Sequence, residues 1–327
     1  MGHSEPPQVF EQIKDDLALV EQGLKDYLKT HTDIIPEVGE YIFLSGGKRF
    51  RPSLLLLSCK LGGYEGCQHI PLACTVEFLH TATLLHDDVV DGAGMRRGRA
   101  SVNSIWGNQA SVLIGDFFLA RSLSLLVANG DQRILELFCH TTEKMAQGEV
   151  MQLIQAGEAG TKESEYLEVV ENKTASLVST ACQAGAILAG LSGREEQFLA
   201  SYGHNLGIAF QLVDDALDYV ILNEKFGKEA GTDLREGKVT LPLIHFLAEA
   251  PAKEADRVRK LLTNGRVARA EVINVISRLV EFGSVQYVLS RAREFSEQAK
   301  AEINHFPPGR WRSALAGIAD YVVEREV

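Results

Sequence analysis

Six carboxylates in two copies of one pattern carry the chemistry open to this chain: Asp87-Asp88-Val89-Val90-Asp91 and Asp214-Asp215-Ala216-Leu217-Asp218. On an α-helix, residues four apart lie one turn apart on nearly the same face, so Asp87 and Asp91 point together, as do Asp214 and Asp218. Both patterns sit in apolar stretches, with Leu84, Leu85, Val89 and Val90 around the first and Phe210, Leu212, Val213, Leu217 and Tyr219 around the second. Ionised carboxylates in such settings cost on the order of several kcal/mol unless cations compensate them. An oxygen-only donor set without Cys or His favours Mg²⁺, which keeps several waters and bridges carboxylates to phosphates. Two such helices facing each other would form a site for Mg²⁺ and a diphosphate. A single DDxxD reads as readily as a solvated acidic face, but recurrence at identical spacing in two apolar stretches favours the site.

An anionic substrate needs gathered cations. The net charge of −11 argues against a nucleic-acid partner, which wants a basic footprint, yet Lys48, Arg49 and Arg51 form one local basic group and Arg96, Arg97 and Arg99 another. Beyond the second pattern, Gly227, Gly231 and Gly237 are interspersed with Lys228 and Lys238. Their spacing is not that of a P-loop, and taken alone this is an ordinary turn. Lys173-Thr174 puts a cation and a hydroxyl in a stretch that otherwise reads as buried, where a lone lysine usually snorkels to solvent. His80 and His86 are uninformative singly.

The elements that position these residues read as helices. Residues 72–241 contain no proline, and alternating β patterns are not sustained anywhere. Phe10, Ile13, Leu17, Val20, Leu24 and Leu28 recur at three- and four-residue steps, predicting an amphipathic helix over about 7–45. Gly46-Gly47 breaks it, and Pro52 opens the next. Further helices are expected at about 71–91, 109–128, 131–156, 163–190, 195–222, 239–249, 253–263, 269–281, 285–304 and 310–324. The fold class is all-α: a many-helix bundle in a single domain over 9–327, behind a flexible start at 1–8. The five cysteines show no metal or disulfide spacing and fit a reducing cytosol with buried thiols. The polar start has no apolar core segment, and no uninterrupted apolar run of membrane-spanning length occurs, so neither a signal peptide nor a membrane span is expected.

Assembled, these stretches resemble the trans (all-E) polyprenyl diphosphate synthases, most closely the bacterial octaprenyl diphosphate synthases. The resemblance rests on Gly46-Gly47-Lys48-Arg49-Phe50-Arg51-Pro52, on Leu84 to Asp91 followed by Met95-Arg96-Arg97-Gly98, and on Gly115-Asp116-Phe117 and Gly148-Glu149. It continues through Lys173-Thr174, Phe210-Gln211-Leu212-Val213-Asp214-Asp215 and Gly237-Lys238-Val239-Thr240-Leu241-Pro242. It implies an isoprenoid-synthase bundle with a central cavity. Lys48, Arg51, His80 and Arg97 would hold isopentenyl diphosphate without metal. Arg96, Lys173, Thr174, Gln211, Lys228 and Lys238 would hold the allylic diphosphate or face the developing cation. Asp87, Asp91 and Asp214 would ligate Mg²⁺, three ions with diphosphate bound, while Asp88, Asp215 and Asp218 ligate or orient bound water.

The resemblance also implies the product. Ala82 and Thr83, five and four residues before Asp87, stand where relatives with short products carry bulky aromatics. Small residues there leave the tunnel open, for a product of about forty to fifty carbons, one turn per ~5.4 Å down the helix. Phe117, Phe118, Leu123 and Leu126 are candidates for its floor. Such a tail serves as a quinone side chain, and the family forms homodimers in the cytoplasm, with membrane contact for product release. The alternatives are a shorter-chain synthase, a non-catalytic subunit of a heteromeric synthase, a terpene cyclase, an HD-type phosphohydrolase built on His86-Asp87, and a helical interaction protein with no chemistry.

Overall fold

The computed structural model describes residues 8–44, 49–96, 98–220, 231–263 and 269–324. The chain opens with α1 (Gln8–Gln12), α2 (Lys14–Tyr27) and α3 (Ile34–Leu44). Then come α4 (Phe50–Leu61) and α5 (His69–Val90), the helix that runs into the first Asp pattern. A small antiparallel hairpin, β1 (Met95–Arg96) with β2 (Arg99–Ala100), pairs Met95 with Ala100. It leads to α6 (Val102–Trp106), α7 (Asn108–Asn129) and α8 (Gln132–Gln155). Next, α9 (Glu163–Val170), a π-helical turn (Glu171–Ala175) and α10 (Ser176–Leu188) run as one helix. After it, α11 (Gly193–Asp218) carries the second Asp pattern. The remainder is α12 (Thr232–Arg235), α13 (Leu241–Glu249), α14 (Ala252–Thr263), α15 (Arg269–Glu281), α16 (Ser284–Ile303) and α17 (Arg310–Glu324). The fold is all-α, as the sequence predicts.

Local chemistry sets these boundaries. The Asp131 carboxylate accepts from the backbone N–H groups of Arg133 and Ile134 at 2.9 and 3.2 Å, which opens α8. Ser192 and Glu195 form a reciprocal capping box at the start of α11. Pro242 sits in the first turn of α13, where a missing N–H costs nothing. The helix expected over 7–45 is three helices. The chain leaves helix after α2 in the polar stretch Thr30 to Asp33, where the Thr32 N–H donates to Thr30 Oγ1 at 2.9 Å and so competes with helical bonding.

Two hydrophobic clusters fill the interior. The first gathers Leu24, Leu54, Leu57, Phe78, Phe118, Phe138 and Leu177. The second gathers Tyr166, Val170, Tyr219, Leu241, Phe246 and Val288. α11 serves both, with Leu199, Tyr202 and Leu206 in the first and Ile208, Leu212 and Val213 in the second. Three cysteines, Cys59, Cys74 and Cys182, are buried thiols as expected, but Cys67 and Cys139 are exposed. By length and composition α7 is apolar enough to cross a bilayer, although Asp116 and Arg121 interrupt its apolar run. It lies along α5, with Ser111 Oγ donating to the Leu85 carbonyl at 3.0 Å.

Candidate active site

Each Asp pattern splits into two kinds of carboxylate. On α5, Asp87 and Asp91 are partly accessible, whereas Asp88 is 2% exposed. Arg96, on β1, clamps Asp88: its Nε donates to both carboxylate oxygens at 2.8 and 2.9 Å, and Nη2 lies 2.6 Å from Oδ1. The guanidinium expected at the allylic diphosphate is therefore committed, at least in part, to the middle carboxylate of the first pattern. α11 repeats the division. Asp214 is exposed and Asp218 partly so, whereas Asp215 is buried, accepting from Tyr166 OH at 2.6 Å and Gln211 Nε2 at 2.7 Å. The spacing thus leaves the first and last carboxylates at least partly accessible and keeps the middle one inside, as helical periodicity requires.

Lysines bring the two patterns together. Lys173 Nζ lies 3.5 Å from Asp87, pairs with Glu149 and donates to Gln152 at 2.6 Å. Its neighbour Thr174 donates to Gln211 at 3.0 Å, and Gln211 reaches Asp215. On the other side, Lys238 Nζ donates to Asp91 at 2.7 Å and lies 2.9 Å from Glu236. The Lys238 N–H donates to the Asp233 carbonyl at 2.8 Å, and the Asp233 N–H donates to Asp218 at 3.0 Å. Residues 147 apart in sequence thus meet at one ion pair, and the two acidic helices are joined through it.

Lys173 and Thr174 owe their position to the π-helical turn, a feature that concentrates at functional sites because it adds a residue to the helix. The turn packs on α8 at Gly148. A Cβ there would stand 2.6 Å from the Lys173 backbone nitrogen, so only glycine allows the approach.

The electrostatics are those of a site short of cations. Burial pushes the Asp87 carboxyl up to about 6, with Lys173 opposing and Glu149 and Asp91 adding to the rise. Burial likewise takes Asp215 up to about 7 against the bonds from Tyr166 and Gln211. The Asp233 carboxyl is raised by burial and by Asp215 and Asp218. Burial works against the Lys238 ammonium, but Asp91 and Glu236 outweigh it and hold its pKa above the ordinary lysine range. Among the described residues no cluster of three or more His, Cys, Asp and Glu side chains is arranged to hold an ion by itself. The donor set fits Mg²⁺ completed by phosphate oxygens and water: all-oxygen, split between two helices, with ammonium groups now neutralising the carboxylates.

Of the expected isopentenyl diphosphate residues, Arg51 on α4 and His80 on α5 meet at 3.2 Å. Lys48, Arg97 and Lys228 lie outside the described residues. Ala82 is buried and Thr83 half-buried on α5, with the Thr83 hydroxyl donating to the His80 carbonyl at 2.8 Å. Among the floor candidates, Phe118 is fully buried and packs on Phe43 and Phe78, with Leu126 also inside. Phe117 is half-buried, and Leu123, 41% exposed, does not line the interior. His86 turns to the Val112 carbonyl at 3.2 Å and to Asp116 at 3.4 Å, seated on Gly115, where a Cβ would lie 2.4 Å from its ring. It does not share a centre with Asp87, which removes the HD-type reading. Sequence reasoning gave no role to Tyr166, Glu149, Gln152 or Asp233. Glu149 stands in the Gly148-Glu149 element of the resemblance and Asp233 between Gly231 and Gly237, so those stretches held a signal for both; the other two give no local signal.

Residues 32–279 match the polyprenyl synthetase family. The octaprenyl diphosphate synthase of Escherichia coli K12 is 39% identical, covering 98% of each chain. An all-trans-nonaprenyl-diphosphate synthase of Rhodobacter capsulatus is 36% identical over 97% of each. A crystal structure of a polyprenyl synthase from Caulobacter crescentus, complexed with calcium and isoprenyl diphosphate, superposes with a TM-score of 0.94 at 38% identity over 98% of each chain. With its helical fold, its paired Asp patterns and these full-length matches, the chain belongs to the polyprenyl synthetase family.

Proposed function

We propose that this chain is a long-chain all-trans polyprenyl diphosphate synthase that adds isopentenyl diphosphate to farnesyl or geranylgeranyl diphosphate, giving a product of about forty to fifty carbons. The observation that carries this reading is that Lys173 and Lys238 pair with Asp87 and Asp91 of the first pattern, while the neighbouring Thr174–Gln211 pair and Asp233 hydrogen-bond to Asp215 and Asp218 of the second. Asp87, Asp91 and Asp214 would hold Mg²⁺, three ions when diphosphate is bound, with Asp218 orienting bound water. When bound, the metal supplies charge neutralisation for the departing diphosphate. Asp88 and Asp215, being buried and hydrogen-bonded, set the side-chain directions of their helices.

The residues bind and orient, and the substrates do the chemistry. Lys173 and Lys238 take the charge that develops on the leaving diphosphate as the allylic C–O bond breaks, and Thr174 and Gln211 line the path of the allylic cation. Arg51, His80, Lys48 and Arg97 hold isopentenyl diphosphate so that its double bond attacks that cation. The released diphosphate takes the proton that is lost. Water must be excluded, since it would trap the cation as an alcohol. Ala82 and Thr83 leave room for the growing tail.

The remaining assignments are part of the same proposal. The chain acts as one domain over 9–327, which α11 supports by feeding both hydrophobic clusters. It forms a homodimer across the apolar faces of α7 and α8, where Leu113, Val127, Val150, Leu153 and Ile154 are exposed. It works in the cytoplasm on quinone side chains, touching a membrane only to release product. The test is incubation with Mg²⁺, labelled isopentenyl diphosphate and farnesyl diphosphate, followed by chain-length analysis of the dephosphorylated products. A Mg²⁺-dependent product of about forty to fifty carbons is expected; no elongation with any allylic primer would overturn the reading. Turnover indifferent to added lipid would remove the membrane step.

A further inference from the structure

Arg49 is the one non-glycine residue with a positive φ among the described residues, at 43° with ψ 43°. This left-handed conformation normally goes to glycine, yet the chain places there an arginine that makes four side-chain hydrogen bonds. Arg49 is 7% exposed. Its Nε and Nη2 donate to the two oxygens of Glu21 on α2, Nη1 donates to Glu77 on α5 at 2.9 Å, and Nη2 also donates to the Phe43 carbonyl of α3 at 2.9 Å. The carbonyl of Arg49 accepts from the N–H and hydroxyl of Ser53 at 2.9 and 2.8 Å, closing the first turn of α4.

We propose that Arg49 is the positioning residue of the isopentenyl diphosphate subsite, fixing Arg51 against His80 and toward the diphosphate without touching it. The inference rests on the reading above that Arg51 and His80 belong to that subsite. α4 and α5 are joined twice, at points about one helical turn apart. Arg49 meets Glu77 in the interior at 2.9 Å, and Arg51 meets His80 at the subsite at 3.2 Å. Glu77 precedes His80 by three residues and Arg49 precedes Arg51 by two, so the inner pair sets the register at which the outer pair meets. A buried Arg with two carboxylates adds little net stability over apolar packing of the same volume. What it supplies is direction, because the planar fork holds three helices at fixed angles that a lysine ammonium cannot reproduce.

The experiment compares Arg49→Lys and Glu21→Gln with Arg51→Ala, measuring KM for isopentenyl diphosphate, KM for the allylic substrate, kcat and thermal melting. Arg49→Lys should raise KM for isopentenyl diphosphate about tenfold, with the allylic KM within about twofold of the parent. Glu21→Gln removes the charge of one arm only, at a partly exposed side chain, and should move the same KM in the same direction by about threefold; it decides the matter if Arg49→Lys fails to fold. Lowered melting with an unchanged KM for isopentenyl diphosphate in both variants would make the cluster purely structural and overturn the proposal. Arg51→Ala separates the two readings. If it leaves that KM unchanged, the subsite assignment itself falls and the inference with it; if it raises the KM while the Arg49 and Glu21 variants do not, only the inference falls.

Discussion

Replacing Asp87 with Asn should make the metal-free protein more stable at alkaline pH while destroying its activity. Asp87 is raised from the ordinary 3.8 to about 6 by burial, so the folded state favours its protonated form. That contribution is fully present below about pH 4 and is lost as pH rises through about 6, where the folded carboxyl ionises. The rise corresponds to roughly 3 kcal/mol at about 1.4 kcal/mol per pH unit. Asn is neutral throughout, so Asp87→Asn should behave like the parent at pH 4 and gain up to ~3 kcal/mol over it at pH 8. For a chain of this size that is a melting difference of about 4–6 °C. The assay is thermal melting in chelator at both pH values, repeated at pH 8 with Mg²⁺ and inorganic diphosphate. The parent should be stabilised by that addition and the variant much less, since it lacks the carboxylate that would hold the ion. A variant whose melting point follows the parent's across the whole pH range would refute the premise that Asp87 carries a burial cost relieved by bound cations.

Gly148→Ala should displace the π-helical turn, because the added Cβ would meet the Lys173 nitrogen at 2.6 Å; kcat should drop by about a hundredfold or more while helicity by circular dichroism stays intact. Tyr166→Phe removes the hydroxyl that donates to Asp215 at 2.6 Å, at a cost of about 1–2 kcal/mol in stability. Since that bond lowers the Asp215 pKa, its loss should shift the acidic limb of the rate profile to higher pH, read from kcat/KM against pH. Thr83→Phe should shorten the main product to about fifteen or twenty carbons, read by chain-length analysis, with the rate of the first condensation retained within about tenfold.

The helices and the paired carboxylates were legible because both are local patterns. Apolar spacing places α5, α7, α8 and α11 within a few residues of their observed ends, and four-residue spacing already pairs Asp87 with Asp91. The separate fates of Asp87 and Asp88 needed Arg96, which reaches back from a hairpin of two-residue strands too short to show any alternation. Tyr166 and Asp215 are 49 positions apart, and nothing near either announces the other. The break after α2 turns on a threonine hydroxyl competing for a backbone bond, which a periodic apolar pattern does not register. Residues 163–190 read as one helix and are one helix, but the extra residue inside it leaves no compositional mark.

That extra residue changes the phase of the helix. Five residues forming a π turn rotate the downstream segment by roughly a quarter turn relative to uninterrupted α-geometry. Before the turn, Tyr166 and Val170 point into the second hydrophobic cluster; after it, Leu177, Val178 and Ala181 point into the first. One rod thereby changes allegiance between two interiors, and Lys173 and Thr174 stand at the changeover, where neither interior claims them. A register slip of one residue, more than any single side-chain change, is what this part of the protein could least tolerate.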